Sequence, residues 1–588
     1  MSNSHLSPAH SAPTLRLPSR HLLSASVLLA IVLLALLTAC GAPEQPGAPA
    51  SVSPVSAPTA APPTPTALPR GGNLTIRLAA DIPELRPWHP RTRGEEQVIA
   101  LLYSGLIRLS ETLAPQPDLA TGWTASADGR VITFTLRNDA VWHDGRPVTA
   151  DDALFTLNAL RALAPETALL AGLRRITEVT APTTDTVVVR LDERYAPIFS
   201  LLTVPVLPRH ALSGRNLADL NAWEAPVGSG PFRLEQREPG AAITLAGSQA
   251  FYRGAPLLDR VVFVVAPDAR VAVSALQDGR LLLAELPWSE GRAITETAPM
   301  LQTGAYAENG YYFLAFNLRP NRVFSDLRLR EALALTLDLP RIVREATDGQ
   351  GMIIGSSAAP GAWADLTPPP ATTVDLERAR ALLDEAGWRL PSDGAVRQKD
   401  GTPLTAQLFV RADDPRRMRA AELIAGAAEQ IGMDIVVQPA DFAIVIRSKY
   451  APPYDFDLLL GSWVNGVADP GFGDYVAFDP DDFALFHSSQ INQGVADTRP
   501  ALNFVGFSDP VYDDQASAAR QLYDLNERAQ AIRRAQERVA LLRPYLFLWA
   551  DRLPVASSLR LKTLDGPVNL ATPNYLWNIE RWYLAGER

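Results

Sequence analysis

Val141-Trp142-His143-Asp144-Gly145-Arg146-Pro147-Val148-Thr149-Ala150-Asp151-Asp152 is the stretch on which the reading of this chain turns. Asp144-Gly145 is a turn pair. Thr149 followed by Asp152 has the spacing that caps a helix, here one starting near Ala150. That assigns Asp151 and Asp152 to a helix start, where the dipole favours negative charge, and not to a general acid/base pair. Upstream, Trp123-Thr124-Ala125-Ser126 and Val131-Ile132-Thr133-Phe134-Thr135-Leu136 alternate around Asp128-Gly129, which predicts a hairpin. Before that, Leu74, Ile76 and Leu78 alternate with polar residues as in a half-buried strand. A proline-rich loop over 83–90 carries Trp88 and His89, and a helical stretch over 95–103 ends near Gly105.

Downstream the period changes to that of helices. Leu329, Ala332, Leu333 and Thr336 share one face. Leu376, Ala379, Leu382, Leu383 and Ala386 do so after Asp375, with Gly387 as a stop. Residues 526–542 read as a long helix limited by Pro544. Strands mixed with helices imply α/β lobes, and roughly 515 residues beyond position 72 exceed one ordinary core, so two or three domains are expected.

Several blocks carry a family resemblance. They are Pro117-Asp118-Leu119-Ala120, the Trp123 hairpin and the Trp142 to Asp152 block. Pro226-Val227-Gly228-Ser229-Gly230-Pro231-Phe232 and Phe251-Tyr252-Arg253-Gly254-Ala255-Pro256-Leu257-Leu258-Asp259 follow. Phe316-Asn317-Leu318, Phe324 to Ala332 and Ala386-Gly387-Trp388 complete the series. In this order they resemble the extracellular solute-binding proteins of ABC importers, peptide/nickel type, family 5. The resemblance implies an α/β, periplasmic-binding-protein-like fold of type II in its large three-domain variant: two lobes closing around a cleft, plus an extra domain. It places lobe I in 73–114 and 224–315, the additional domain in 115–223, lobe III in 316–540 and a return to lobe I in 541–588. Gly228, Gly230 and Asn317 fall at expected crossings between lobes. The implied partners are an ABC permease with its ATPase and a peptide or other small solute, bound by a monomer without a cofactor.

The same resemblance nominates site residues. Its Trp-x-x-Asp-x-x-Asp-Pro cleft segment corresponds here to Trp463-Val464-Asn465-Gly466-Val467-Ala468-Asp469-Pro470. Trp463, Asp469 and Pro470 match; Gly466 stands where peptide-binding members have the aspartate that pairs with an α-ammonium. Asn465 and, more weakly, Asp474 are further candidates. Trp88 is a candidate apolar wall. Arg86, in Leu85-Arg86-Pro87 where the family often has Leu-Asp-Pro, would favour an anionic ligand.

The first 40 residues contain no acid. Arg16, Arg20 and His21 precede an apolar run over 22–38, which is the build of an export signal. Leu37-Thr38-Ala39-Cys40 resembles the lipoprotein cleavage box, so 1–39 is expected to be removed and Cys40 to carry the lipid. Nine of the 32 residues over 41–72 are proline, the composition of a disordered, semi-rigid tether. The expected location is extracytoplasmic, anchored by lipid alone.

Cys40 is the only cysteine, which leaves no disulfide, thiolate metal site or cysteine nucleophile in the body. Loss of Arg16 and Arg20 on cleavage takes the formal charge from −10 to −12, against nonspecific nucleic-acid binding. No zinc helix, nucleophile elbow or phosphate loop is present. The chain is therefore read as a binding protein and not an enzyme. Alternatives are a receptor for a nickel chelate, saccharide or other non-peptide solute, a surface sensor or chaperone, and, last, a carboxylate-dependent surface hydrolase.

Overall fold

The alternation at 74–78 forms the strand Asn73–Leu78, in which Leu74, Ile76 and Leu78 are buried. The computed structural model describes residues 69–88, 90, 92–163, 168–219, 223–308, 310–366, 373–392, 394–464, 479–492 and 502–586. Cys40, the signal region and nearly all of the tether lie outside them. Asn73–Leu78 pairs in parallel with Arg260–Val265 and Leu283–Glu285. Ala242–Gly247 and Phe232–Glu238 extend that side of the sheet antiparallel. On the other side, Gly310–Phe316 pairs with Leu458–Val464, which in turn runs parallel to Thr405–Arg411 and then Asp434–Ala440.

One long strand, Tyr545–Ser558, joins the two sides. Its residues 545–549 pair with Gly310–Phe316, and residues 552–558 pair with Leu301–Ala307. The result is a twelve-stranded sheet among the described residues. Each side buries its own apolar cluster. Leu74, Phe232, Phe263 and Trp582 belong to the first, and Leu333, Leu383, Leu408 and Ile424 to the second.

The hairpin at Asp128-Gly129 forms as read. Ala120–Ala125 pairs with Val131–Leu136, Trp123 opposite Phe134, and Gly129 adopts φ +70°. With Thr186–Leu191 and Ile176–Thr183 these make a separate four-stranded antiparallel sheet. The helix Ala150–Leu163 packs Leu157 and Leu160 onto Ile132, Phe134, Val187 and Val189. Full burial of each such side chain contributes about 1.5–3 kcal/mol.

Asp152 does tie the start of this helix. Its Oδ2 accepts from Thr149 N–H at 2.9 Å and from the Trp142 indole at 3.3 Å, and its Oδ1 accepts from Arg209 N–H at 2.9 Å. Asp151 instead faces water and pairs with Arg209. The helices Leu327–Thr336, Leu376–Glu385 and Leu525–Leu542 are capped by Asp326, Asp375 and Asp524, each accepting from the first turn. Gly387 at φ +87° and Arg543 at φ +49° follow the last two, both left-handed stops.

The four-stranded unit and the segment after it touch residues of 479–523, outside the strands of the large sheet. Ala196 N–H donates to Arg520 O at 2.6 Å, Ser200 Oγ donates to Asp479 Oδ2 at 2.8 Å, and Tyr523 Oη donates to Gly129 O at 2.7 Å. Trp363 N–H also reaches Thr112 O at 3.0 Å. Among the described residues no helix is long and apolar enough to cross a membrane.

Candidate functional site

A cavity of about 270 Å³ lies where the proline-rich loop, the helix Arg93–Leu102, the strand Ile107–Leu109, the segment around Ser200 and the loop around Trp577 converge. Each wall has a local cause. Thr92 Oγ1 accepts from Glu95 N–H, and the Glu95 carboxylate accepts from Thr92 N–H, a capping box that fixes the helix start. Trp88 is buried and meets Trp223 edge-on at 5.0 Å. Asn574 Nδ2 donates to Leu109 O and Ser110 O, both at 2.9 Å, which docks the C-terminal loop beside the Ile107–Leu109 strand.

Two blocks that are distant in sequence meet at the back of the cavity. Asp118 accepts from the Tyr252 hydroxyl at 2.6 Å and pairs with Arg253, whose Nε also donates to Glu580 at 3.1 Å. Burial and the Asp118 charge hold the Tyr252 phenol well above its ordinary range. A third pairing lies alongside. His143 Nδ1 accepts from Gly228 N–H at 3.2 Å, His143 N–H donates to Gly228 O at 2.8 Å, and Nε2 donates to Gly230 O at 3.1 Å. This arrangement demands the neutral ring with its proton on Nε2, and burial lowers the pKa of His143 in keeping with it.

At the other end of the helix Arg93–Leu102, Glu285 gathers four donors on one oxygen: Gln97 at 2.8 Å, Tyr306 and Tyr575 at 2.9 Å each, and Arg93 at 3.4 Å. The Tyr306 and Tyr575 phenols are pushed well up, first by burial and then by the Glu285 charge, so both stay protonated donors. Among the described residues no group of three histidine, cysteine or acidic side chains is arranged to hold a metal.

The nominated residues are distributed unevenly. Trp88 lines the cavity. Arg86 is outside its lining and pairs with Glu84 at 2.6 Å. Trp463 is buried in an aromatic group, stacked on Phe313 at 5.7 Å and edge-on to Tyr450 at 5.6 Å. Asn465, Gly466, Asp469, Pro470 and Asp474 lie outside the described residues. Gly228 and Gly230 sit where close approach excludes a side chain. A Cβ would stand 1.8 Å from Leu102 O at the first and 2.4 Å from Leu101 O at the second, and neither has a positive φ. Buried Asn317 donates from Nδ2 to Tyr454 O at 2.9 Å and to Phe456 O at 2.8 Å. The changeover between the two sides of the large sheet falls where Leu301–Ala307 gives way to Gly310–Phe316, upstream of Asn317, and at 549–552 in the long strand, downstream of it.

Sequence reading did not find Arg108, Asn574 or Trp577. The only local signal is an arginine between the apolar residues Ile107 and Leu109, and its partner Trp577 is 469 positions away.

The comparisons agree with this architecture. The model for bacterial extracellular solute-binding proteins, family 5, matches residues 114–483, more than half of the chain. The chain is 25% identical over 530 residues to the oligopeptide-binding protein AppA of Bacillus subtilis, covering 88% of this chain and 92% of the relative. It is 26% identical over 410 residues to the nickel-binding periplasmic protein of Escherichia coli, covering 66% and 77%. Among solved structures, AppA from Bacillus subtilis with a nonapeptide superposes with TM-score 0.60 at 24% identity, over 88% of this chain and 99% of the other. The unliganded open form of the murein tripeptide binding protein MppA gives 0.71 at 22%, over 88% and 98%. With its mixed α/β fold, its convergent sequence blocks and this match, the chain belongs to the bacterial extracellular solute-binding proteins of family 5, whose members bind and do not catalyse.

Proposed function

We propose that this chain is the lipid-anchored receptor of an ABC importer, which captures an oligopeptide or similar small solute and delivers it to a permease. The observation that carries this is the match of the chain, along most of its length, to an oligopeptide-binding protein, within the family whose model covers more than half of it. Binding shifts an open–closed equilibrium between the lobes. The segments that bend are those containing Gly228, Gly230 and Asn317, together with the changeover at 307–310 and 549–552. Trp463, Asn465 and Asp469 are proposed to contribute to the ligand face opposite Trp88. Cys40, acylated after removal of residues 1–39, holds the receptor at the membrane; two acyl chains are needed because one binds only marginally.

Thermal shift against di- to pentapeptides tests the reading, since a ligand of the folded state alone raises the melting temperature, by about 2.7 kcal/mol of stability at a hundredfold excess over Kd. Stabilisation by a saccharide or a nickel–histidine complex and by no peptide would reject it. The nickel reading has specific support in the nickel-binding relative and in the likeness to NikZ of Campylobacter jejuni with Ni(L-His), with TM-score 0.61 at 24% identity.

A further inference from the structure

Two separate parts of the molecule share the carboxylate of Asp479. Among the described residues it accepts from four donors. Three come from its own neighbourhood: Arg528 Nη2 at 2.7 Å and Asp481 N–H at 3.1 Å on Oδ1, and Arg528 Nη1 at 2.9 Å on Oδ2. The fourth is the Ser200 hydroxyl, at 2.8 Å on Oδ2. Ser200 stands between Phe199 and Leu201, which lie in the apolar core of the four-stranded unit. The segment that carries Asp479 packs elsewhere: its Phe486 and Tyr512 join Phe313 and Tyr545 of the second side of the large sheet. Arg528 and Asp479 are both buried, and their two-pronged pairing is complete without Ser200. Ser200 therefore adds one charge-assisted bond to a site that is already built.

Arg528 also stands behind a second crossing. Its guanidinium lies 5.4 Å from the centre of the Trp363 ring, and Trp363 N–H donates to Thr112 O at 3.0 Å. Beside Asp479, Ala196 N–H donates to Arg520 O, Tyr195 N–H to Tyr523 Oη, and Tyr523 Oη to Gly129 O. Phe199, edge-on to Tyr523 at 5.1 Å, adds an apolar contact. The crossings are mostly polar. On separation each of these groups exchanges its partner for water, so the net gain per bond is small and the contact is reversible. A wide apolar seam would hold the parts together far more firmly.

We propose that Ser200, Asp479 and Arg528 form a closure latch. Asp479 and Arg528 are the prebuilt catch on one side, Ser200 is the bolt on the other, and the receptor closes part of the time with no solute bound. The latch sets the closed fraction on which a solute draws, and with it the apparent affinity. The proposal rests on the reading of the chain as a receptor whose lobes close, and is independent of which solute it takes.

Cys40 is the only cysteine, so the full chain carrying Cys40→Ser can take two spin labels at chosen sites. Thr184→Cys on the four-stranded unit and Glu429→Cys on the second side are both exposed and report the separation by double electron–electron resonance. Without solute the parent should show a short and a long distance. Ser200→Ala should lower the short-to-long ratio about tenfold, the worth of one hydrogen bond to a charged group. Ser200→Asp, which sets a second carboxylate against Asp479, should leave the long distance alone. The long distance itself should be the same in parent and variants, which separates a latch from damage to either part. A parent wholly at the long distance, or a ratio that neither variant changes, overturns the latch and leaves closure on a solute standing. A single short distance that persists in both variants shows that the parts do not separate, and overturns the closing receptor together with its latch.

Discussion

Single residues decide how the conserved-looking blocks interlock in this molecule. His143 receives Gly228 N–H on Nδ1 and gives its Nε2 proton to Gly230 O, so His143→Ala leaves Gly228 N–H and Gly230 O without partners. We expect a loss of about 1–3 kcal/mol, read from the urea midpoint. The same ring sets a pH dependence. Its folded-state pKa lies below the ordinary value near 6.5, so the unfolded chain takes up the proton first as pH falls. The contribution of His143 is complete above about pH 6.5 and declines below it. Asp482 acts with the opposite sign. It is buried against Tyr512 and Ser357, and burial, with Asp481 adding, pushes it up to about 7. Relative to an ordinary aspartate near 3.9, its stabilising contribution is fullest at low pH and is lost as pH rises through about 7. Asp482→Asn should raise the melting temperature at pH 8, by about 2 °C or more, with little gain at pH 5; equal gains at both would count against the protonated carboxyl. None of this was visible locally. Arg86 and Trp463 were nominated by the blocks they stand in, and the structure adds the neighbours that those blocks do not show. Glu84, two positions before Arg86, and Phe313 and Tyr450 beside Trp463 are the partners that the fold supplies.

Elements were legible wherever their causes are local. Asp128-Gly129 made its hairpin, and Asp375 and Gly387 bounded their helix, because turns and caps are fixed within a few residues. Pairings between distant strands were not legible: no local pattern states that Asn73–Leu78 lies between Arg260–Val265 and Leu283–Glu285. The contact between the four-stranded unit and the segment around Tyr523 belongs to the same class. Tyr523 Oη donates to Gly129 O and accepts from Tyr195 N–H at 3.3 Å, serving two backbone groups across the boundary. Tyr523→Phe should therefore cost about 1–2 kcal/mol, measured by denaturant unfolding. It should also increase the radius of gyration in small-angle scattering if the contact holds the lobes closed; an unchanged radius would confine its role to stability.

At the scale of the whole molecule, the proposed anchor and the receptor make separable predictions. Cys40→Ser should leave the precursor uncleaved or release the protein from membranes in fractionation, while ligand binding by the folded body persists. Retention of a correctly cleaved mutant would remove the lipid from the account. A different consequence follows from Tyr545–Ser558, the strand common to both sides of the large sheet. A chain emerges from its N-terminus, and units generally fold as they become complete. Here neither side of the sheet has its full set of hydrogen bonds until residues beyond 545 are available. The two sides must therefore finish together and late, after almost the entire polypeptide has been made, which keeps a chain awaiting export from setting prematurely into its final shape.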